Sequence, residues 1–217
     1  MADIRPFRAV RPKEGKAAEI AALPYDVYSR QEAKAEAADK PLSFLRIDRP
    51  EMNFDDSVDT YDPRCYAKAG ELLNKMIEDG DFIEDDKACY YIYELTMNGR
   101  TQTGIVATAS VDDYEKNIIK KHENTREDKE LDRIRHVEAC SAQTGPIFLG
   151  YRARKIINEA LNVPLEYSTT LPLHLLGRTT YFPTILFIRS AVFCASSNVF
   201  GSSCVESVVL LGKFFST

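Results

Sequence analysis

The alternation of apolar and polar positions marks a β-hairpin in the middle of the chain. Residues 105–111 alternate between two sets of side chains, which is typical of a strand buried on one face. Asn98 and Gly99 separate this strand, predicted over residues 101–111, from a second strand over residues 90–97. Asn-Gly is a strong signal for a two-residue turn, so the two strands are predicted to pair antiparallel.

Helix start and stop signals mark the elements before the hairpin. Pro63 follows Asp62 at a first helical position and Gly80 comes just past the end, which predicts a strong helix. Ser29 and Glu32 have the spacing of a capping box for a helix that reaches about residue 38. Further strands are predicted over residues 4–10, 43–47 and 145–151, and further helices over 14–23, 112–119 and 155–161. The fold class is therefore α+β, with a mixed sheet, a β-hairpin and flanking helices.

The densest chemistry lies in the charged run over residues 113–136, which contains two of the three histidines. Thr125 and Asp128 have capping-box spacing, which predicts a helix from about residue 126 to about residue 141 with Thr125 as its N-cap. Helical spacing then turns an apolar set toward the core, namely Leu131, Ile134 and Val137. It gathers a basic set on a neighbouring face, namely Arg126, Lys129, Arg133 and His136.

Two interpretations of this basic face are open. The helix N-terminus adds partial positive charge and free N–H groups beside His122 and Arg126, a combination that suits a phosphate or a carboxylate. A solvated helix with ion pairs four residues apart, such as Arg126 with Glu130, would have the same composition. The helix is thus either an anion site or an ordinary exposed surface.

Composition argues against several classes of function. The net charge of -5 argues against a general nucleic-acid binder, which needs a basic surface. The five cysteines show neither a CxxC pair nor metal-finger spacing, so we expect free thiols in a reducing cytoplasm, with Cys140 as a small buried residue. The N-terminus does not have the pattern of a signal peptide. A membrane-spanning helix is not expected either, because Arg189 interrupts the best apolar window.

Several stretches of the sequence resemble the DUF1015 family of bacterial proteins. They are Ile4–Pro12, Leu23–Ser29, Ser43–Glu51 and Met97–His136, and Gln143–Pro146 continues the last of them. The pattern Lys-His-Glu-x-Thr-Arg-x-x-Lys-Glu-x-Asp-Arg-x-x-His, which ends at His136, is very specific. The resemblance covers roughly residues 3–165.

The resemblance implies a ParB/sulfiredoxin-like fold, in a group that includes kinases for free serine and nucleotide-switched DNA-partitioning proteins. Family members are typically longer and carry a downstream Asp-Gly-His-His-Arg stretch that is similar to a nucleotide-phosphate motif, whereas no Asp-Gly-His occurs in this sequence. We therefore expect a truncated chain, in which residues 1–167 are an incomplete N-terminal part of the family domain. Residues 168–217, whose composition differs from the rest, are expected to be an apolar tail that is out-of-frame or poorly ordered.

A kinase for a small hydroxyl compound such as free L-serine needs a base near the hydroxyl, cations on the transferred phosphate and, with ATP as donor, Mg²⁺. Asp26 lies in a predicted turn, where its carboxylate is a candidate base or metal ligand. The alternative for Asp26 is a turn residue that accepts backbone N–H bonds. His122 is a candidate to donate a hydrogen bond to a phosphate oxygen or to relay a proton, and Glu123 is a candidate to orient it or to hold Mg²⁺.

Four cationic residues complete the candidate site. Arg126, Lys129 and Arg133 would offset the charge that develops in phosphoryl transfer. Arg46, predicted on a strand, is either a bidentate carboxylate binder or the partner of a nearby acid, Asp48 or Glu51, in a surface ion pair.

His136 is set apart from this candidate site by distance. It lies about 15 Å along the helix from Arg126 at 1.5 Å per residue, so it is a structural histidine or part of a second site. A zinc site that joins His122 to His136 is rejected, because no cysteine or third histidine stands in a matching position, and no metal site built by the protein alone is expected.

The sequence thus gives a leading function and an alternative. The leading hypothesis is a phosphotransferase that uses ATP and Mg²⁺ on a small molecule, with this chain as an inactive fragment of it. The alternative is a non-catalytic, nucleotide- or anion-binding regulatory module. Both expect a small-molecule partner, without a membrane or general nucleic-acid partner.

Overall fold

Six α-helices and eight strands make up the part of the chain that this computed structural model describes, which is residues 2–97, 100–121, 124–151, 187–188 and 205–212. The strands are β1 (Ile4–Arg5), β2 (Ala9–Pro12), β3 (Phe82–Glu84), β4 (Tyr91–Met97), β5 (Arg100–Ser110), β6 (Ile147–Tyr151), β7 (Phe187–Ile188) and β8 (Val205–Gly212). The helices are α1 (Ala17–Ile20), α2 (Arg30–Glu36), α3 (Leu45–Asp48), α4 (Pro63–Glu78), α5 (Val111–Glu115) and α6 (Glu127–Cys140), with 3-10 turns at Tyr25–Val27 and Pro50–Asn53. The fold class is α+β, as predicted.

The larger sheet is mixed and is built around β5. Strands β1, β4 and β8 all pair antiparallel with β5, and β6 pairs parallel with β8. The β4–β5 register runs from Tyr91 opposite Val106 to Met97 opposite Arg100, which confirms the predicted hairpin. The turn residues Asn98 and Gly99 lie outside the described residues.

The first predicted strand, residues 4–10, is two strands in two different sheets. β1 pairs with β5, whereas β2 lies between β3 and β7 in a smaller antiparallel sheet. Between them, buried Phe7 forms an isolated bridge with Cys89 and packs on the Tyr91 ring with 5.0 Å between the centroids. The break occurs because the chain passes from one sheet to the other at Phe7.

Local capping signals located α2 and α4 correctly. Ser29 and Glu32 form the predicted reciprocal capping box at the start of α2. Asp62 caps α4 by accepting from the Arg64 N–H, and Gly80 follows the helix with a φ of +78°. Helix α1 is shorter than the predicted span of 14–23, because Gly15 takes a φ of +82° just before it and extended backbone follows at Ala21.

The predicted strand over residues 43–47 is wrong, because these residues lead into helix α3. The Phe44 N–H donates to the Ile20 carbonyl at 2.8 Å, and the Arg49 N–H closes the α3 turn on the Leu45 carbonyl. Phe44, Leu45 and Ile47 are all buried. A short run that is buried on every side has no periodicity to distinguish a strand from a helical turn.

The bounds of α6 agree with the predicted helix to within a residue or two, but its cap and its inward face do not. The N-cap is Arg126, without a side-chain hydrogen bond, so the predicted cap at Thr125 is wrong. The residues that α6 buries are Asp132, His136 and Cys140, while Leu131 is 44% exposed. The helix presents a polar stripe to the core because its neighbours offer polar partners to that stripe.

Two smaller predictions also need correction. The helix after the hairpin, for which the sequence predicts Asp112 or Asp113 as cap and an end at Ile119, follows Ser110 and ends at Glu115. Asp113 instead accepts a bond from the Asp3 N–H, which ties the N-terminus to this corner. Strand β6 exposes Ile147 and Phe148 by 38% and 40%, so the predicted buried strand lies at a surface.

Two short parts of the apolar tail belong to the sheets. β7 pairs with β2, and β8 lies between β5 and β6. The predicted helix over residues 155–161 and the remainder of the tail lie outside the described residues. The boundary at residue 167 and the out-of-frame origin of the tail therefore stay predictions. None of the helices in the described part of the chain is long and apolar enough to cross a membrane.

Close contact between α4 and α6 at Gly70 gives a first testable prediction. A Cβ at Gly70 would lie 2.4 Å from the Ala139 carbonyl oxygen, so Gly70→Ala forces the two helices apart. We expect it to lower the free energy of unfolding by about 1–3 kcal/mol, despite alanine's higher helix propensity. Urea unfolding followed by circular dichroism measures this loss. Gly145→Ala, whose Cβ would meet nothing within 4 Å, is the control and should change stability by less than about 0.5 kcal/mol.

Candidate functional site

The predicted residues Asp26 and Arg133 lie on elements that meet at one surface. Asp26 is exposed on the 3-10 turn Tyr25–Val27. The guanidinium of Arg133, on α6, stacks on the Tyr25 ring at 4.1 Å from its centroid. The fold therefore brings together two of the residues that the sequence analysis singled out.

A carboxylate that the sequence analysis did not single out holds Arg133 in this place. Nε and Nη2 of Arg133 donate to Oδ2 of Asp132 at 3.1 and 2.9 Å. The other carboxylate oxygen of Asp132 accepts from the Tyr66 hydroxyl, on α4, at 2.9 Å. Burial opposes the charge of Arg133, but the carboxylates of Asp48 and Asp132 raise the pKa of its guanidinium, so Arg133 stays cationic.

Asp48 is a second carboxyl group that the sequence analysis did not place in the site. It ends α3 and is only 6% exposed. Burial raises its pKa to about 6, although the Arg133 charge and a hydrogen bond from Thr144 oppose the rise and the charge of Asp26 adds to it. Asp48 thus exchanges a proton near neutral pH, in a cluster with Asp26 and Arg133.

His136 is a structural histidine, one of the two roles that the sequence left open. It is 1% exposed, and its Nε2 lies 2.9 Å from the Ile47 carbonyl oxygen. Burial lowers its pKa to about 4, so the ring is neutral and Nε2 carries the proton that it donates to Ile47. Nδ1 is then an acceptor that faces the Cys140 thiol at 3.8 Å and the Thr144 hydroxyl at 3.5 Å. Cys140 is buried, as predicted.

Lys129 adds a second cation beside Arg133. Its Nζ donates to the Tyr61 hydroxyl at 3.1 Å and lies 5.7 Å from the centre of that ring. The ammonium therefore sits at the hydroxyl end of Tyr61, not over its face. The hydrogen bond with Tyr61 raises the pKa of Lys129, which keeps the ammonium charged at neutral pH.

The N-terminal turn of α6 is less suited to an anion than the sequence suggested. The first turn carries three acidic residues, Glu127, Asp128 and Glu130. Arg126 already pairs with a neighbouring acid, because its Nη2 donates to Asp128 at 2.8 Å. Carboxylates at this position already interact with the helix dipole and repel a second anion. Lys129, further along the helix, donates to a neutral hydroxyl and is therefore the better candidate for anion binding, whereas Arg133 already pairs with Asp132.

Arg46 lies on helix α3 and directs its guanidinium to the end of α2. Nη2 donates to the Ala37 carbonyl at 2.7 Å and Nε to the Lys40 carbonyl at 3.3 Å. The alternative ion pair with Asp48 or Glu51 is not formed, because Asp48 faces Arg133 and Glu51 pairs with Arg49. The structure therefore assigns Arg46 a local structural role, and its role as a carboxylate binder remains a prediction without a contact that favours it.

The residues His122 and Glu123 lie outside the described residues, so their predicted roles stay predictions. Within the described ranges, no group of three or more histidine, cysteine, aspartate or glutamate side chains is arranged to hold a metal ion. Mg²⁺ in phosphoryl-transfer sites is commonly bound by one or two carboxylates together with substrate phosphates and water. The exposed carboxylate of Asp26 fits that kind of incomplete coordination.

Comparison with protein families settles what the chain is related to. The profile of a family described as a protein of unknown function (DUF1015) matches residues 4–172. The chain belongs to the DUF1015 family. The match includes all of the cluster around Arg133 and ends close to the point at which the sequence changes composition. Searches among curated proteins and among solved structures gave no match.

Family membership and geometry together define the candidate site of this DUF1015 chain. It consists of the turn with Tyr25 and Asp26, the end of α3 with Asp48, and the α6 face with Lys129 and Arg133. Chemically, it offers an exposed carboxylate, a buried carboxyl group that titrates near pH 6 and two cations. Such a set can bind a small polar molecule and accept a proton from it.

Proposed function

We propose that this chain provides the acceptor side of a phosphotransferase, which transfers a phosphoryl group from ATP to the hydroxyl of a small molecule such as free L-serine. The observation that carries the proposal is the stacking of the Arg133 guanidinium on Tyr25, the neighbour of Asp26 in the turn, with the buried carboxyl group of Asp48 interacting with the charge of Arg133. A base near the hydroxyl and cations near the developing charge are what phosphoryl transfer requires of a protein. A ParB/sulfiredoxin-like fold is part of the same proposal.

Each residue of the cluster has a role in this proposal. Asp26, which is exposed, accepts the proton of the substrate hydroxyl. Asp48, which is buried, takes up or releases a proton, and Arg133 and Lys129 offset the negative charge of the transferred group. Mg²⁺, when bound at Asp26 with the phosphates, supplies charge neutralisation. The ATP phosphates are bound mainly by the Asp-Gly-His-His-Arg stretch of longer family members, in which case this chain is inactive on its own.

The test is an assay of ADP release and O-phosphoserine formation with ATP, Mg²⁺ and L-serine. It is run on this chain and on a longer DUF1015 relative that keeps the Asp-Gly-His-His-Arg stretch. Turnover in the relative alone supports the proposal and identifies this chain as an acceptor-side fragment. Absence of turnover in both proteins removes free serine as the substrate.

The carboxylate of Asp26 can be tested in whichever protein turns over. Asp26→Asn, or its equivalent in the relative, should lower kcat by about 10²–10⁴-fold, because a positioned base contributes that much. Asp39→Asn, which changes an exposed aspartate after α2, is the matched control and should leave kcat unchanged. Equal activity of the two variants would exclude Asp26 as the base.

A non-catalytic binding module is the second candidate function. It is favoured by the two cations on one face of α6, each of which contacts a tyrosine, because this arrangement binds an anion without any group transfer. Nucleotide that binds to this chain and to the relative without ADP release would support the module over the phosphotransferase.

A further inference from the structure

A single guanidinium, that of Arg49, contacts both ends of the turn that carries Tyr25 and Asp26. Nη1 of Arg49 donates to the Tyr25 carbonyl at 3.0 Å and also to the Tyr28 carbonyl. Nε donates to a carboxylate oxygen of Glu51 at 2.8 Å, and Nη2 lies 2.7 Å from the same oxygen in an ion pair. The planar fork of an arginine can satisfy these three acceptors at once, which a lysine ammonium cannot do with the same geometry.

The turn has little support of its own. Its 3-10 segment is held by one backbone bond, from the Val27 N–H to the Pro24 carbonyl at 3.2 Å, and it lacks a side-chain cap. The Arg49 bonds therefore fix the backbone on either side of Asp26. The same turn places the Tyr25 ring against the Arg133 guanidinium, which Asp132 holds, so the position of the turn determines whether the two groups stack.

Burial of the Arg49–Glu51 pair supports a positioning role. The side chains are 17% and 4% exposed. A buried ion pair is a weak source of stability, because desolvation offsets most of the attraction. Arg49 also directly follows Asp48, so the end of α3 places one residue at the carboxyl cluster and the next residue at the turn.

We infer that Arg49, held in place by Glu51, is the positioning residue that fixes the turn of Tyr25 and Asp26 and so sets the Tyr25 ring against Arg133. The importance of Arg49 for catalysis rests on the proposed function, whereas its effect on the position of the turn does not. Arg49 itself contacts the backbone of the turn and acts on the site through that backbone.

The first test is binding of L-serine to this chain by isothermal titration, with Arg49→Lys compared with the unchanged chain. Arg49→Lys keeps the charge beside Glu51 but loses the fork, so we expect affinity to fall by about tenfold or more. Arg8→Lys is the control, because Arg8 also combines a backbone carbonyl, that of Asp85, with a carboxylate, that of Glu84, but lies just before β2 of the smaller sheet. It should bind L-serine within about twofold of the unchanged chain. An unchanged affinity of Arg49→Lys would overturn the inference.

The second test does not depend on L-serine. Because the Arg133 guanidinium lies 4.1 Å from the centre of the Tyr25 ring, the ring current is expected to shift the Arg133 Nε–H resonance, which nitrogen-15 spectra can follow. Arg49→Lys should move this resonance toward the value of an unstacked arginine, whereas Arg8→Lys should leave it in place. A merely structural role of Arg49 would lower stability without moving the resonance, which would overturn the inference.

The two tests separate the inference from the proposed function. If the unchanged chain does not bind L-serine, the proposed acceptor is wrong, and the Arg133 resonance alone decides on Arg49. If Arg49→Lys does not fold, the double variant Arg49→Gln with Glu51→Gln replaces it, because it removes both charges and leaves neither buried without a partner. The same shift of the Arg133 resonance is then expected, and its absence refutes the role.

Discussion

Asp132→Ala is expected to lower the free energy of unfolding by about 2–4 kcal/mol. The substitution leaves Nε and Nη2 of Arg133 without the carboxylate oxygen that they share and the Tyr66 hydroxyl without its acceptor. Breaking a fully buried pair costs about 3–5 kcal/mol, and the lower figure applies here because 31% of the Arg133 side chain is exposed. Chemical unfolding monitored by circular dichroism gives this difference.

The same helix supplies the control for this prediction. Asp128→Ala also removes an aspartate that pairs with an arginine, but Arg126 and Asp128 are 76% and 47% exposed. An exposed pair contributes about 0–1 kcal/mol, so this variant should unfold near the same denaturant concentration as the unchanged chain. Asp132→Asn keeps an acceptor for Tyr66 and should fall between the two. Equal losses for Asp128→Ala and Asp132→Ala would contradict the assignment of Asp132 as the anchor of Arg133.

Asp48 and His136 are expected to have opposite effects on stability between about pH 4 and pH 6.5. The folded-state pKa of Asp48, about 6, lies above its ordinary value of 3.8. Its contribution to stability is complete below pH 3.8 and is lost as the pH rises through 6. The folded-state pKa of His136, about 4, lies below its ordinary value of 6.5. Its contribution is present above pH 6.5 and is lost as the pH falls through 4.

These two effects nearly cancel in the unchanged chain. Each shift is worth about 3 kcal/mol across the window, because one pKa unit corresponds to about 1.4 kcal/mol. Between about pH 4 and pH 6, folding adds a proton to Asp48 and removes one from His136. The total number of protons bound by the chain therefore changes little on folding. The groups that face Asp48, namely Arg133, Asp26, Thr144 and Cys140, remain in place in either single variant.

Substituting either Asp48 or His136 should reveal the pH dependence of the free energy of unfolding that the other residue causes. His136→Gln, which can keep a donor for the Ile47 carbonyl, leaves the Asp48 effect, so stability should fall from about pH 4 to about pH 6 relative to the unchanged chain. Asp48→Asn leaves the His136 effect, so relative stability should rise from about pH 4 to about pH 6.5. Urea unfolding of the three proteins at a series of pH values measures both slopes. Two slopes of the same sign would refute this account.

The sequence predicted correctly those helices and strands that are marked by a few neighbouring residues. The capping box at Ser29, the Asp62–Pro63 start of α4 and the Asn98–Gly99 hairpin each depend on a few neighbouring residues, and the corresponding elements are found. Helix α3 was missed because a four-residue element with three buried residues is too short to show a helical period and has no side-chain cap. Which element it becomes is decided by the long-range bond from Phe44 to Ile20.

The site was predictable only in part for the same reason. Asp26, Lys129 and Arg133 were identified from their residue types and spacing, and the structure brings them to one surface. Asp48 and Asp132 were missed because their role depends on partners far away in sequence. The spacing of Asp132, His136 and Cys140 at four-residue intervals was a usable signal, since it marks one helix face, but a search for apolar residues gave that face to Leu131.

The pairing of β1 with β5 has a consequence for the order in which the chain folds. The Thr108 hydroxyl donates to the Arg5 carbonyl, which joins residues 103 positions apart, and Ile4 lies opposite Ala109 in the sheet. During synthesis the first strand therefore waits until β5 has left the ribosome, while α4 forms from local contacts. Closing so long a loop has an entropic cost before the contact is made, so attachment of β1 is expected to be a late and slow step of folding. Until then the amino terminus of the nascent chain presents an unpaired strand that other proteins can bind.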